Sequence, residues 1–277
     1  MILSRTFIWR KLREHKILAQ HKRIAGICEK LISEYRKNPT AFAIRAKKEI
    51  GTEKIVWQYW GQGYDDVPTA VKECLDSVDK WMDGYLIIRL SDRNIHEYLD
   101  IPNFVKEKRN LFSFAHFADL LRLMLLQTYG GIWMDATILL LDSIPVDYTN
   151  CDFFVFRRDP NEPNYRYWRN TYAYYFGWAK GFRVNMLNSF IVAKKGNRTI
   201  SELCDLLLLW WQKHDEVPDY FFFQILYDTY NCQELFPLVS DTLPHYKQQS
   251  VNDPKFMSIF PNGSASFSPI QKMTYKD

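Results

Sequence analysis

Ser113-Phe-Ala-His-Phe-Ala-Asp-Leu-Leu-Arg-Leu-Met-Leu-Leu-Gln-Thr-Tyr-Gly-Gly-Ile-Trp-Met-Asp-Ala-Thr137 is the stretch that decides the fold. Up to Thr128 it is apolar nearly all round, the pattern of a helix enclosed by other elements. Its polar residues are not scattered. At about 100° per residue, His116, Asp119 and Arg122 fall on one stripe, with Asp119 and Arg122 as i,i+3 neighbours. A carboxylate and a guanidinium on a buried helix need a reason, because unpaired buried charge is costly. Two reasons remain open: a structural ion pair, or a polar ligand that needs both donors and acceptors. Gly130-Gly131 then permits a tight reversal, and Ile132-Trp-Met-Asp135 reads as a strand that carries one carboxylate to the edge of a sheet.

Outward from this segment, strands and helices alternate. Lys54-Ile-Val-Trp-Gln-Tyr-Trp60 is a strand rich in β-branched and aromatic residues, broken by Gly61-Gln-Gly63. A helix is expected after Pro68, since proline suits a first helical turn. Tyr85-Leu-Ile-Ile-Arg-Leu90 reads as a second strand, followed by helical stretches to Tyr129; Ile138–Leu141 and Phe153-Phe-Val-Phe156 read as further strands. This alternation predicts an α/β fold with a mainly parallel, Rossmann-like sheet. Ligands in such sheets bind outside the carboxyl ends of the strands, which points to Gln58–Gly63 and to Asp135.

Residues 1–50 hold thirteen Lys and Arg against four Glu, a balance of +9, while the remainder holds twenty-three basic against twenty-eight acidic residues, a balance of −5. Helix is expected from about residue 10 to Asn38-Pro39, resuming to Glu49. We therefore divide the chain into a basic helical segment at 1–50 and a main domain at 51–277. A basic helix of this kind suits either an anionic lipid surface or packing on the main domain. No recognised nucleic-acid-binding module accompanies the charge, so nucleic acid is not an expected partner.

Composition narrows the class. Hydrophobic residues make up 47% and charged residues 25%, enough for a large core in a globular chain. Aromatics reach 16% and cluster around 57–64, 165–182 and 210–230; most belong to the core, but sugar rings and nucleobases also stack on such faces. Five scattered cysteines (Cys28, Cys74, Cys151, Cys204, Cys232) form no metal or disulfide pattern, which favours a reducing compartment. There is no secretory leader and no run of about 18 apolar residues, so the chain is expected to be cytoplasmic, free or peripheral at the inner face of the membrane.

Ala115–Thr137 resembles the signature of the capsular polysaccharide synthesis glycosyltransferases. These are relatives of the DXD-containing sugar transferases that include yeast-type mannosyltransferases and clostridial glucosylating toxins. The resemblance runs from about Ile55 to the C-terminus and is strongest over 113–141. It implies a GT-A fold behind an N-terminal helical extension, a nucleotide-sugar donor, a Mn²⁺ or Mg²⁺ ion, and retention of anomeric configuration. The donors it suggests are UDP-galactose and UDP-glucose, with a lipid-linked saccharide as acceptor. By the same resemblance, Asp119 and Arg122 would bind donor-sugar hydroxyls, and Asp135 the ribose and metal. Trp57 and Gln58 would hold the nucleobase. Asn188, in Asn188-Ser-Phe-Ile-Val-Ala, would lie near the reacting carbon, and Lys272 and Lys276 near the diphosphate. Asp219 is a second catalytic candidate, although it equally suits a helix N-cap before Phe221-Phe-Phe-Gln224. His245 reads as an acceptor or metal ligand or as an ordinary loop histidine.

Two departures stand out. The expected Asp-X-Asp is Asp135-Ala-Thr137, and Gln271 stands where relatives carry His or an acid. The metal set is thus Asp135, Thr137 and Gln271, poor in the carboxylate charge that hard cations prefer. A catalytically silent nucleotide-sugar-binding or membrane scaffold therefore remains an alternative. A nucleotidyltransferase would need a glycine- and lysine-rich phosphate loop, which is absent. The chain stops at Asp277 within a motif-like loop, so a further C-terminal segment is expected.

Overall fold

The computed structural model describes residues 2–52, 54–163, 165–230 and 269–273. In chain order it contains α1 (Ile2–Lys37), β1 (Arg45–Ala46), β2 (Ile55–Tyr59), α2 (Thr69–Trp81), β3 (Leu86–Leu90), β4 (Leu99–Asp100), α3 (Asn103–Glu107) and α4 (Phe114–Tyr129). Then follow β5 (Gly131–Met134), β6 (Ile138–Leu140), α5 (Val146–Thr149), β7 (Phe153–Arg157), α6 (Tyr165–Thr171), β8 (Met186–Ala193), α7 (Arg198–Lys213), α8 (Phe222–Thr229) and β9 (Ile270–Lys272).

The central sheet has the order β3-β2-β5-β8-β7. β2 runs parallel to both β3 and β5, whereas β8 runs antiparallel to β5 and to β7. The sheet is therefore mixed, not mainly parallel as the alternation of elements predicts. A parallel neighbour requires a crossover that returns the chain to its starting end. After β7 the chain instead closes at the same end, where the Arg158 amide donates to the Asn185 carbonyl at 3.0 Å, so β8 comes back antiparallel.

Side chains alternate across the sheet. Trp57, Trp133 and Ile191 join one core with α1, α4, α7 and α8, while Val56, Ile132, Met134 and Val192 form the other with Val78 of α2. Ile17, Ile24, Cys28, Leu31 and Ile32 of α1 enter the first core, so the back half of the basic helix packs on the main body. The expected resumption of helix to Glu49 does not occur. Pro39 interrupts the helical pattern, and the main chain finds other partners: the Phe42 amide donates to Asp205 Oδ1, and β1 pairs with β4.

The diglycine is required at both positions. Gly130 and Gly131 have φ of 72° and 98°, and a Cβ would stand 2.5 Å from the Lys195 nitrogen and 2.6 Å from the Ile55 oxygen respectively. Backbone thus meets backbone where α4 turns into β5. β6 does not extend the central sheet. It pairs antiparallel with β9, which lays Gln271 and Lys272 beside Leu139 and Ile138.

Candidate active site

The parallel strands β2 and β5 end on the same edge, and Asp135 follows β5 there. Its amide donates to the Ser189 carbonyl at 2.9 Å, which fixes the start of β8 alongside. Asn188 thereby faces the polar stripe of α4. That helix begins at Ser113, whose hydroxyl accepts from the His116 amide.

Asp119 is 7% exposed and Arg122 is 3% exposed. Arg122 Nη1 donates to Asp119 Oδ1 at 2.5 Å, and Asn188 Nδ2 donates to the same oxygen at 2.7 Å. Arg122 Nη2 reaches Asp135 Oδ1 at 3.4 Å, while the Trp133 indole N–H donates to that oxygen at 2.8 Å. The guanidinium also lies over the Trp133 ring, 5.0 Å from its centroid. The ion-pair reading of the stripe therefore holds, and the pair belongs to a polar cluster at the strand ends. Burial pushes the Asp119 carboxyl up to about 6, and the Asp135 charge adds to the rise, against the pull of Arg122 and Asn188. One guanidinium serves two carboxylates.

Lys272 closes the other side. Its ammonium contacts Thr137 Oγ1 and lies 3.4 Å from Asp135 Oδ2; the Met273 amide donates to the Thr137 carbonyl at 2.9 Å. Asp135 and Thr137 thus come together, but around an ammonium, whereas Gln271, the residue before Lys272 on β9, is buried and turned to the opposite face of the strand. Among the described residues no group of three His, Cys, Asp or Glu side chains is placed to hold a metal.

Other sequence-predicted residues lie elsewhere. Trp57 is enclosed between Tyr98 and Tyr129, its indole N–H on the Gly130 carbonyl at 2.9 Å, and so offers no open ring face. Gln58 is likewise enclosed and accepts from Arg89 Nε. The partly buried ring at this edge is Trp60, which packs with Val71, Leu75 and Ala136. It lies at the carboxyl end of β2, and the strand-end rule alone could have singled it out. Asp219 does not join Asn188. Its carboxylate accepts from the Phe221 amide at 2.8 Å, closing the turn before α8, and from Gln20 of α1 at 3.0 Å; the N-cap of α8 is Phe221, with no side-chain cap, so the expected N-cap at Asp219 does not form. Tyr220, unnoticed in the sequence, stands between the two regions with its ring centroid 6.0 Å from that of His116. Lys276 and His245 lie outside the described residues.

The family described as "Capsular polysaccharide synthesis protein" matches residues 7–277. The chain belongs to that family. Two fungal proteins are similar to this capsular-synthesis family member: "O-glycosyltransferase braB" of Annulohypoxylon truncatum, 26% identical over 181 residues, and "O-glycosyltransferase PaGT" of Phomopsis amygdali, 25% identical over 176. These alignments cover 61% and 59% of the chain but 40% of each relative, so the chain spans about two fifths of the curated relatives it matches. A solved structure, "PaToxG Glycosyltransferase", aligns with 92% of this chain and 86% of its own at 12% identity, with a TM-score of 0.41.

Proposed function

We propose that this capsular-synthesis family member is a glycosyltransferase of GT-A type that moves a hexose from a nucleotide sugar to a saccharide acceptor. The observation that carries the reading is the convergence of Asp119, Arg122, Asp135 and Asn188 at the shared carboxyl edge of β2 and β5. Carboxylate, guanidinium and amide together offer the mix of acceptors and donors that sugar hydroxyls require. UDP-galactose and UDP-glucose are the donors we assign, and a lipid-linked saccharide the acceptor.

In the transfer, the acceptor oxygen bonds to the anomeric carbon. The bond from that carbon to the diphosphate oxygen breaks with its electron pair on the diphosphate, and the acceptor proton leaves with that group. Asp119 and Arg122 orient the sugar, Asn188 stands by the reacting carbon, and Trp60 offers a face to the base. Retention of configuration, which the resemblance implies, is read from the anomer first formed. The negative charge that develops on the diphosphate needs a cation. As arranged, the described residues do not fit a resident Mn²⁺ or Mg²⁺ ion. Among the described residues Asp135 is the one carboxylate against the Lys272 ammonium that contacts Thr137, and both its oxygens are engaged. Lys272 is therefore the charge we assign to the leaving group.

Turnover of a panel of nucleotide sugars, with the metal chelated and with Mn²⁺ added, tests the reading. UDP-hexose hydrolysis that is abolished by Asp135→Ala is the expected result. The filled Asp135–Thr137 space also favours a second reading, a silent nucleotide-sugar-binding scaffold. Donor binding without turnover under either condition would establish that reading instead.

A further inference from the structure

A cavity of about 600 Å³ lies between α1 and the turn at 219–221, next to the cluster of Asp119 and Asp135 but outside it. Trp9, Arg13, Lys16 and Gln20 line it from the helix side, and Tyr174, Asp219 and Tyr220 face them. From Trp9 to Gln20 the helix rises about 16 Å, so the cavity is long relative to a single sugar ring. Its two ends differ in chemistry. At the inner end Asp219 and Gln20 are hydrogen-bonded, and Tyr174 and Tyr220 are 59% and 54% exposed, which leaves aromatic faces for a pyranose ring. Arg13 and Lys16 lie one to two turns further out along α1 and supply positive charge. Beyond them Phe7, Ile8, Trp9 and Leu12 are roughly half to two-thirds exposed on a segment that carries most of the basic excess of the chain.

Tyr220 joins this cavity to the candidate site. Its ring neighbours His116 on α4, and its hydroxyl feels the charges of both Asp119 and Asp135. The His116 Nε2 atom is buried without a protein partner, and burial holds its imidazole below the usual histidine range, hence neutral near pH 7. An acceptor lying in the cavity would bring its inner end to the donor sugar.

We infer that this cavity is the acceptor site, and that it takes a saccharide carried on a phosphorylated lipid: sugar against Tyr174, Tyr220 and Asp219, phosphate on Arg13 and Lys16, and lipid leaving past Leu12 and Trp9. The assignment rests on the glycosyltransferase reading and gives its acceptor a place on the molecule. It also explains why α1 is apolar where it packs and both cationic and aromatic where it does not.

Titration of the full chain with farnesyl-diphosphate-linked N-acetylglucosamine, with the methyl glycoside of the same sugar, and with UDP tests it. The farnesyl probe should bind at least tenfold more tightly than the methyl glycoside and should not be displaced by UDP. Lys16→Glu and Trp9→Ala, both at exposed positions of α1, should each weaken the probe tenfold or more and leave UDP affinity unchanged. Absence of probe binding, displacement by UDP, or unaltered affinity in both variants would overturn the assignment. So would retention of Lys16-dependent binding only to phosphatidylglycerol vesicles that lack the probe, which would make the surface a membrane contact. UDP binding without probe binding sinks the cavity assignment alone, whereas probe binding with no binding of any nucleotide sugar in the panel sinks the glycosyltransferase reading and with it the acceptor role of the cavity.

Discussion

Asn188 and Asp119, far apart in sequence, share a 2.7 Å hydrogen bond that joins the start of β8 to the middle of α4. The bond stabilises the charged form of Asp119, because the amide donates to a carboxylate oxygen. Asn188→Ala should therefore raise the proton affinity of Asp119 and move the acid limb of donor hydrolysis to higher pH. A pH profile of kcat/KM for both proteins checks this, and coincident acid limbs would separate Asn188 from Asp119.

Unaltered protein should itself lose activity as the pH falls below about 6, where buried Asp119 becomes protonated and loosens its hold on Arg122. For stability the sign is opposite. An acid whose folded pKa lies above its unfolded value near 3.8 binds more protons in the folded state between those limits. The contribution of Asp119 to stability is thus greatest below about 4 and declines as the pH rises to 6. Urea unfolding of Asp119→Asn should show a shallower loss over that window than the parent.

Lys272→Met should weaken UDP binding by about tenfold to a hundredfold, the range for loss of a hydrogen-bonded charge. Adding Thr137→Asp to that variant restores the second carboxylate and should make binding respond to Mn²⁺. Calorimetric titrations with chelator and with Mn²⁺ read both effects. A tenfold or larger Mn²⁺ response in the parent chain would instead assign the cation to a metal.

Gly131→Ala should be among the most damaging small substitutions in the chain, since it combines a positive φ with a Cβ 2.6 Å from the Ile55 oxygen. A loss of about 1–3 kcal/mol is expected from the strained backbone alone, visible as a lowered thermal midpoint. Alanine at Gly196, where φ is 70° but no atom lies within 4 Å of the added Cβ, should cost less.

Trp57 and Trp60 should separate cleanly. Trp57→Ala empties a fully enclosed site and should destabilise by about 3–5 kcal/mol, with UDP affinity kept in the molecules that remain folded. Trp60→Ala should reduce UDP affinity with a smaller thermal shift. Chemical denaturation and UDP titration on the two variants distinguish core from site.

The sequence was most legible where one local pattern determined one local structure. Pro68 opens α2, the stripe His116-Asp119-Arg122 lies on one buried helix, and Gly130-Gly131 makes the turn its composition requires. It was least legible where pairing is non-local. Nothing around Phe153 states that β7 closes back on β8 at the same end of the sheet, so the mixed sheet is hidden from element order. The apolar run at Ile138 reads as a strand but gives no sign that its partner is Ile270–Lys272. Trp57 and Trp60 are the same residue type on one strand and its exit, and only burial tells the enclosed ring from the partly buried one. Asp219 suits a helix N-cap in sequence, yet Phe221 takes that position and Asp219 closes the turn before it; its bond to Gln20 of α1 could not be read from either segment.

Because β9 brings Lys272 to a cluster otherwise built from Asp119, Arg122, Asp135, Thr137 and Asn188, its ammonium follows these residues out of the ribosome. A nascent chain can therefore fold α4, β5 and β8 into a paired sheet and helix while Asp135 and Thr137 still lack the Lys272 ammonium. Adding it means joining Thr137 to a residue 135 positions away, a closure whose entropic cost grows only slowly with length but whose rate falls with separation. Until that closure the Arg122 guanidinium serves Asp119 and Asp135 without help from Lys272.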